Sequence, residues 1–323
     1  MVARWPRPLA VCAGVLVFLV AGCNNPISGA VSVTASDTTP FGNGQTVYVG
    51  FPNTDWYHTG VLKYASDGTG WIQQISNQVA VTDISVDSSG NMAVAANTAL
   101  YRPSGGTWVT GSDTGVSQVA LTSSSVVALT GGQLRVLTPA TLATATGPFT
   151  VSGPTALFAP LANKIYVGTG SDLLSSDGTG SPAATGGSLS ATVKGIYSDS
   201  SGTTVYVATS LGFSYSTSSG SGWSTNVTAG TIGVGTPQCV WVSGGTIYLG
   251  TSLGVAVSSD NGTTWSISNL QTSVTSISAA TSNGVTCLYA ATAQGLYVYS
   301  FSDKSWTLAF SGYPVNKVFV TVP

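Results

Sequence analysis

The chain has 323 residues, of which 40 are glycine and only 6% are charged. Its length allows one large β domain or two ordinary domains, and an apolar content of 43% can fill a sizeable core. Nine basic residues nearly balance eleven acidic ones, so the sequence predicts no basic surface for nucleic acid. Every acidic residue is Asp, whereas exposed helical faces normally draw on Glu, Lys and Arg, which disfavours helical bundles and doubly wound α/β folds.

The first segment has the features of an export signal. Two arginines precede an apolar run over residues 9–21, which is too short to span a bilayer comfortably. The run ends in Ala21-Gly22-Cys23, and small residues directly before a cysteine resemble the bacterial lipobox. The resemblance implies a lipoprotein signal peptide over residues 1–22 and several acyl chains, such as palmitate, on Cys23, which anchor a protein stably. A plain secretory signal followed by a chance cysteine is the alternative.

Export also bears on the localisation and on the other cysteines. Asn24, rather than Asp, follows the lipidated position, which is the pattern of Gram-negative lipoproteins passed to the outer membrane. We therefore expect a protein held by its lipid alone at the outer membrane or cell surface.

Cys12 leaves with the signal, so Cys239 and Cys287 remain as a pair in an oxidising compartment. Both a disulfide and two buried thiols fit their positions.

A repeated unit follows a polar linker over residues 23–45. Over residues 46–323 the chain repeats an apolar triplet that is followed in most copies by Gly or Ala and then by a turn. The seven triplets begin at Val47, Met92, Val126, Ile165, Val205, Ile247 and Leu288. Their spacing of about 34 to 45 residues is that of a four-stranded β-propeller blade.

The rest of the unit recurs with the triplet. Short β-rich runs precede six of the triplets, at residues 81–86, 116–121, 155–158, 193–197, 238–242 and 274–278. A strand that opens with a small residue follows each triplet, and a polar turn and usually a Trp come next. Asp87 and Asp199 begin similar turns in which Gly90 and Gly202 supply positive φ. Period-two alternation with Gly, Ser and Asn turns excludes helix over nearly the whole span.

The seventh first strand comes from the end of the chain. Only six first strands lie between the triplets, and the run over residues 315–322 completes the count. A last strand that completes the first blade closes a propeller by hydrogen bonds between its two ends. The sequence therefore predicts an all-β fold, a single seven-bladed β-propeller of four-stranded antiparallel blades, closed by the C-terminal strand.

A turn motif in the sixth blade carries a family resemblance. Ser258, Asp260, Gly262, Thr264 and Trp265 match the S-x-D-x-G-x-T-W pattern of the Asp-box, or BNR repeat, at every specified position. Weaker copies lie at residues 66–71, 175–179 and 217–223. The Asp can accept backbone N–H bonds, the Gly can adopt positive φ and the Trp can pack between sheets, so we interpret the motif as a structural turn.

From about residue 45 to its end, the chain thus resembles the Asp-box propellers. These include sialidases, xyloglucanase-type glycoside hydrolases, sortilin-type receptors and the lipid-anchored photosystem II assembly and stability factors. In these families the box lies away from the catalytic mouth, on the turn between the third and fourth strands. The photosystem factors are expected to bind their partner through an arginine-rich patch, which the two arginines of the mature chain do not form. Fold does not fix function in any case.

The inventory of ionisable residues argues against an enzyme. Sialidases need three arginines and a Glu beside the nucleophilic Tyr, whereas the mature chain has only Arg102 and Arg135 and no Glu. A Ser-His-Asp triad would have to use His58, and no nucleophile motif accompanies it. Two-carboxylate glycoside hydrolysis is open to Asp alone, and Asp83 in a predicted inner strand is the best-placed acid. A solvated Asp lining the channel is the simpler interpretation.

No cofactor and no metal site are predicted, since the Cys and His residues lack close spacing.

One loop of the first blade differs from its counterparts. The segment over residues 51–59 holds Asp55, Trp56, Tyr57 and His58, where other blades have Ser-Leu or Ala-Gln. Exposed aromatic side chains beside polar ones suit sugar stacking or a protein interface, although the Trp can also fold back onto the sheet. We expect a lipid-anchored, non-catalytic propeller that binds a protein partner at its mouth. The alternative is a carbohydrate-binding or weakly hydrolytic propeller that takes a glycan there.

Overall fold

The computed structural model describes residues 45–52, 60–64, 71–75, 79–87, 89–104, 107–224, 227–282, 285–301 and 304–322. Over these residues the chain forms seven four-stranded antiparallel sheets, which are the blades of the predicted β-propeller. The first strand of each blade contacts the first strands of both neighbouring blades, and this closes a ring around a central channel. In blade order from the second to the seventh and then the first, these inner strands are β4 (Val81–Val86), β8 (Val116–Leu121), β12 (Ala156–Leu161), β16 (Val193–Ser198), β20 (Pro237–Ser243), β24 (Val274–Ser282) and β28 (Lys317–Thr321).

The other strands follow outward in chain order within each blade. The second strands are β1 (Thr46–Gly50), β5 (Met92–Ala96), β9 (Val126–Thr130), β13 (Lys164–Gly168), β17 (Val205–Thr209), β21 (Thr246–Thr251) and β25 (Val285–Thr292). The third strands are β2 (Val61–Tyr64), β6 (Ala99–Ser104), β10 (Gln133–Leu137), β14 (Leu173–Ser176), β18 (Gly212–Ser216), β22 (Gly254–Ser258) and β26 (Gly295–Ser300). The fourth strands are β3 (Trp71–Ile75), β7 (Thr107–Thr114), β11 (Thr144–Thr150), β15 (Ala183–Ala184), β19 (Val227–Thr228), β23 (Ser266–Ile267) and β27 (Ser305–Ser311).

One short helix, α1 (Ala229–Ile232), connects the fifth blade to the sixth in the described part of the chain. The Thr228 side chain caps its first turn, and Gly233 ends it with a φ of 82°. No helix in the described ranges is long and apolar enough to cross a membrane.

The inner strands all begin at the same end of the ring, which also carries the turns between second and third strands. We call this end the entry mouth.

The C-terminal strand closes the ring as predicted. β28 pairs antiparallel with β1, from Thr46 opposite Thr321 to Gly50 opposite Lys317. The strand is shorter than the predicted run over residues 315–322, because Val315 leaves the ladder. Val315 is buried and donates its N–H to a carbonyl of the seventh blade.

The hydrophobic core is divided into seven clusters, each between two neighbouring blades. Small residues after the apolar triplets allow the blades to approach closely. A Cβ atom on Gly50 would lie 2.7 Å from Cγ1 of Val81, and one on Gly168 would lie 2.6 Å from Cγ1 of Val193. The recurring Gly or Ala is therefore a packing requirement of the repeat.

Candidate functional site: the central channel

A cavity of about 430 Å³ occupies the channel, and the inner strands of all seven blades line it. Two rings of residues, at equivalent positions on these strands, describe its wall. The mouth ring, nearer the entry mouth, comprises Asp83, Gln118, Ala156, Gly195, Cys239, Ser276 and Lys317. The deep ring, two residues further along each strand, comprises Ser85, Ala120, Phe158, Tyr197, Trp241, Ser278 and Phe319.

The ring residues face the edge of the next inner strand, whose alternate N–H groups point away from its own blade. Asp83 is the clearest case. Its Oδ2 accepts from Val119 N at 3.0 Å, and its Oδ1 accepts from Ile84 N at 3.1 Å. Its Oδ1 also lies 3.0 Å from Nζ of Lys317 on the closing strand. The carboxylate is thus fixed by two backbone donors and one cation.

The serines of the rings use the same arrangement. Ser85 Oγ accepts from Leu121 N at 2.8 Å, which continues the contact that Asp83 makes one pleat earlier. In the seventh blade, Ser278 Oγ accepts from Val320 N at 3.1 Å, so a serine also caps the edge of the closing strand. We call the sector formed by the seventh, first and second blades the capped arc.

The opposite sector, formed by the fourth to sixth blades, is called the aromatic arc. Its deep-ring residues are Phe158, Tyr197 and Trp241. The Tyr197 ring centroid lies 5.6 Å from that of Phe158 and 5.0 Å from that of Trp241, at interplanar angles of 47° and 53°. All three side chains are half-buried and line the cavity. The mouth-ring residues of these blades are Ala156, Gly195 and Cys239, which carry no long side chain into the cavity. At Gly195 the next strand packs closely, since a Cβ atom there would lie 2.8 Å from the Cα of Cys239.

Ionisation in the channel follows from burial and from the Lys317–Asp83 pair. Burial raises the pKa of the Cys239 thiol to about 12, and the nearby Lys317 offsets this only in part. Burial alone would lower the pKa of Lys317, but the Asp83 carboxylate outweighs it and the pKa is raised. At neutral pH the channel therefore holds a neutral thiol and a compensated ion pair.

The two remaining cysteines lie in different parts of the fold. Cys239 and Cys287 are not joined by a disulfide. Cys239 lies in the inner strand of the sixth blade, and Cys287 packs in the cluster between the seventh and first blades. In the structure they are two separate thiols.

The predicted site residues have different outcomes. Asp83 lines the channel, as its predicted inner strand required. Trp241, which lies in the strand predicted over residues 238–242, packs on Tyr197 and lines the cavity. Cys23 and the loop residues Asp55, Trp56, Tyr57 and His58 lie outside the described residues, so these predictions stay predictions. Sequence reasoning missed Lys317 and Tyr197, although both stand in strands that it predicted.

The motif of the sixth blade forms a hydrogen-bonded turn between β22 and β23, at the end of the ring opposite the entry mouth. The Asp260 carboxylate accepts from Thr264 N at 2.9 Å and from Thr264 Oγ1 at 2.6 Å, and Ser258 Oγ accepts from Gly262 N at 2.8 Å. Gly262 has a φ of 85°, and Trp265 packs edge-on against Phe213 at 5.4 Å. Hydrogen bonds to Thr264 and Ser258 lower the pKa of Asp260 to about 2. These contacts are those of a structural turn.

No group of three or more His, Cys or Asp side chains in the described ranges could hold a metal ion. The channel and the entry mouth both offer surfaces on which a ligand or partner can bind. At the entry mouth, Leu211 and Leu253 occupy equivalent turns between second and third strands in adjacent blades. Their side chains are 54% and 63% exposed.

Residues 196–322 match the family model described as the DUF6242 beta propeller domain, which covers less than half of the chain. No curated protein matches. The similar solved structures include two extracellular domains from B. thetaiotaomicron, assigned to the one component system BT4673 and the hybrid two component system BT3049. Both give a TM-score of 0.55 at 15% identity; they cover 71% and 72% of this chain, and 33% and 35% of their own. The computationally designed Ika8 protein gives 0.51 at 11% identity, over 73% of this chain and 89% of its own.

The chain spans about a third of the length of the two B. thetaiotaomicron structures that it matches. At these identities the likeness establishes the fold alone. The lipoprotein, Asp-box and photosystem-factor resemblances remain predictions from the sequence. The chain is a seven-bladed β-propeller whose last three blades and closing strand are similar to the DUF6242 beta propeller domain.

Proposed function

We propose that this protein is an exported, non-catalytic β-propeller that binds a protein partner through its entry mouth at the cell envelope. The observation that carries the proposal is the pair of exposed leucines, Leu211 and Leu253, on adjacent turns of that mouth. Large apolar side chains that are more than half exposed in neighbouring turns are typical of a protein interface.

Neighbouring residues extend this apolar surface. Ile267 is 55% exposed, and its Cδ1 atom lies close to Gly233 at the end of α1. α1 begins beside the turn that carries Leu211, since Ala229 N donates to Leu211 O at 3.0 Å. The segment after the helix meets the turn that carries Leu253, since Ser252 N donates to Thr236 O at 2.9 Å. The three side chains and the helix therefore supply a surface that spans two blades.

The state of the channel carboxylates supports a non-catalytic role. Among the described residues that line the channel, the acids are Asp83 and Asp199. Asp83 is held by Lys317 and two backbone donors, and Asp199 accepts from Thr203 N at 2.9 Å and Thr204 N at 3.1 Å in its turn. A general acid or base needs a carboxyl group whose proton can move, and both groups are committed to structural contacts.

The predicted lipid anchor is compatible with a partner that binds at the entry mouth. β1 begins with Thr46 at the end of the ring opposite the entry mouth. A chain anchored through Cys23 would therefore enter the propeller at the end of the ring opposite the leucines. The extracellular location of the two B. thetaiotaomicron domains supports export.

The test is crosslinking capture from native membranes with the double variant Leu211→Ser/Leu253→Ser. We expect the variant to lose the captured partner while it keeps its melting temperature, because exposed turn positions contribute little to stability. Leu161→Ser is the matched control: Leu161 is 42% exposed and lies at the opposite end of the ring. Capture of the same partner by the double variant, or its equal loss in the control, would contradict the proposal.

A further inference from the structure

The aromatic arc has hydrogen-bonding groups that the described part of the protein does not use. Trp241 Nε1 and the Tyr197 hydroxyl have ring contacts, but no described residue forms a hydrogen bond with either. Both side chains line the cavity. In a well-packed interior such groups find partners, so unused ones beside an open cavity are available to a ligand.

The backbone adds further donors along the same arc. Asp199 N bonds to Thr204 O within the fifth blade, so by strand periodicity the N–H groups of Ile196 and Ser198 point away from the blade and toward the channel. On the capped arc, Asp83 and Ser85 accept from the equivalent amides. Ala156 and Phe158 stand at the corresponding positions before β16, and neither side chain can accept a hydrogen bond.

The shape of the cavity fits these donors. Ala156, Gly195 and Cys239 carry no long side chain into the cavity beside the aromatic rings, while the capped arc contributes a compensated ion pair. The volume of about 430 Å³ falls within the range of roughly 300–1,000 Å³ typical of small-molecule sites. The walls therefore offer an apolar face on one side, exposed donors beside it and no uncompensated charge from the Lys317–Asp83 pair.

We propose that the aromatic arc is a binding site for a pyranose sugar. A pyranose ring has an apolar face of C–H groups and a rim of hydroxyl oxygens, which matches an aromatic wall bordered by N–H donors. The sugar stacks on Trp241 and Tyr197, and its hydroxyls accept from Trp241 Nε1 and the edge amides of β16. This site is separate from the leucine surface at the entry mouth, so either proposal can fail alone.

The experiment is saturation-transfer NMR on the mature protein with glucose, galactose, mannose and N-acetylglucosamine as probes, followed by titration of any sugar that responds. We expect at least one sugar to bind. Trp241→Ala should weaken that binding by at least tenfold, because it removes both the stacking surface and a donor. Tyr197→Phe should weaken it severalfold, because it removes only the hydroxyl.

Leu308→Ser is the control, since Leu308 is an exposed apolar residue on the outer strand of the seventh blade, outside the channel, and its substitution should leave the affinity unchanged. If Trp241→Ala does not fold, Tyr197→Phe and Trp241→Phe carry the test, because both keep an aromatic ring in place. The absence of a response from all four sugars would overturn the proposal. So would binding that survives the channel substitutions but is lost when Trp56 and Tyr57 are changed to Ala, because the sugar would then bind at the predicted loop of the first blade.

Discussion

The capped arc and the aromatic arc occupy equivalent positions on equivalent strands, and they use them in opposite ways. On the capped arc, Asp83, Ser85 and Ser278 accept from the edge amides of the next inner strand, and Lys317 adds an ion pair. On the aromatic arc the same positions hold small and aromatic residues, which leave the edge amides facing the cavity.

The difference places the closure of the ring and the proposed sugar site in separate sectors. An inner strand of a propeller exposes one edge to the channel, and unpaired edge groups must be satisfied by side chains, by water or by a ligand. The capped arc satisfies its edge groups internally where the two ends of the chain meet. The aromatic arc lies within the continuous chain, where strand order already holds the blades in place, so its edge groups remain available.

Deleting the last eight residues breaks the capped arc and should have the largest effect. The deletion removes β28, its ladder with β1 and the buried side chains of Val318 and Val320. Burial of each valine contributes on the order of 1.5–3 kcal/mol. Since domains of this kind are stable by only about 5–15 kcal/mol, the ring should lose most of its stability.

Circular dichroism melting and limited proteolysis measure this loss. As a comparison, Trp241→Ala on the aromatic arc should cost less than the roughly 3–5 kcal/mol of a fully buried Trp, because its side chain is half-buried. A truncated protein that melts at the same temperature as the full chain would show that the C-terminal strand does not close the ring.

Lys317→Met tests the ion pair of the capped arc. Asp83 is buried and the Lys317 side chain is 32% exposed, so the substitution leaves a buried carboxylate without its cation. Breaking a buried pair in this way costs about 3 kcal/mol. Chemical denaturation should show a smaller loss in the double variant Lys317→Met/Asp83→Asn, because the neutral amide can still accept from Val119 N. Equal losses in the single and double variants would mean that the charges do not interact.

The same pair predicts a dependence on alkaline pH. The folded-state pKa of Lys317 lies above its ordinary value of 10.5, so its contribution is complete below about that pH and is lost as the pH rises through the folded-state pKa. The stability difference between the wild type and Lys317→Met should therefore shrink above pH 10.5. The tyrosines ionise in both proteins and cancel in the comparison. A difference that stays constant up to pH 12 would contradict the pairing.

Much of the fold can be predicted from the sequence because each blade repeats the same local pattern. The predicted first strands over residues 81–86 and 116–121 coincide with β4 and β8, and the C-terminal run supplies the closing strand. The channel contacts could not be predicted, because they join residues that are distant in the chain. Lys317 and Asp83 meet only once the ring is closed, and nothing in either strand marks the other as its partner.

The turns between third and fourth strands also show that a sequence motif predicts local structure only in part. The weaker copy over residues 217–223 has Ser218 where the sixth blade has Asp260, yet its backbone is alike. Ser219 and Gly220 have φ values of 56° and 86°, close to the 57° and 85° of Asn261 and Gly262. Ser216 Oγ accepts from Gly220 N at 3.0 Å, as Ser258 does from Gly262 N. A serine and a glycine at fixed spacing therefore suffice for the turn, and the Asp adds contacts to it.

The smallest effects come from a matched pair of substitutions in the deep ring. Ser85→Ala removes the acceptor of Leu121 N on the capped arc and should cost about 1 kcal/mol, since it leaves an amide unsatisfied. Tyr197→Phe removes a hydroxyl that has no described hydrogen-bond partner and whose pKa is raised by burial, with smaller contributions from Tyr206 and Asp199. Its cost should stay within about 0.5 kcal/mol. Denaturation of both variants measures the contrast, and a larger loss for Tyr197→Phe than for Ser85→Ala would mean that the aromatic arc contributes to stability as the capped arc does.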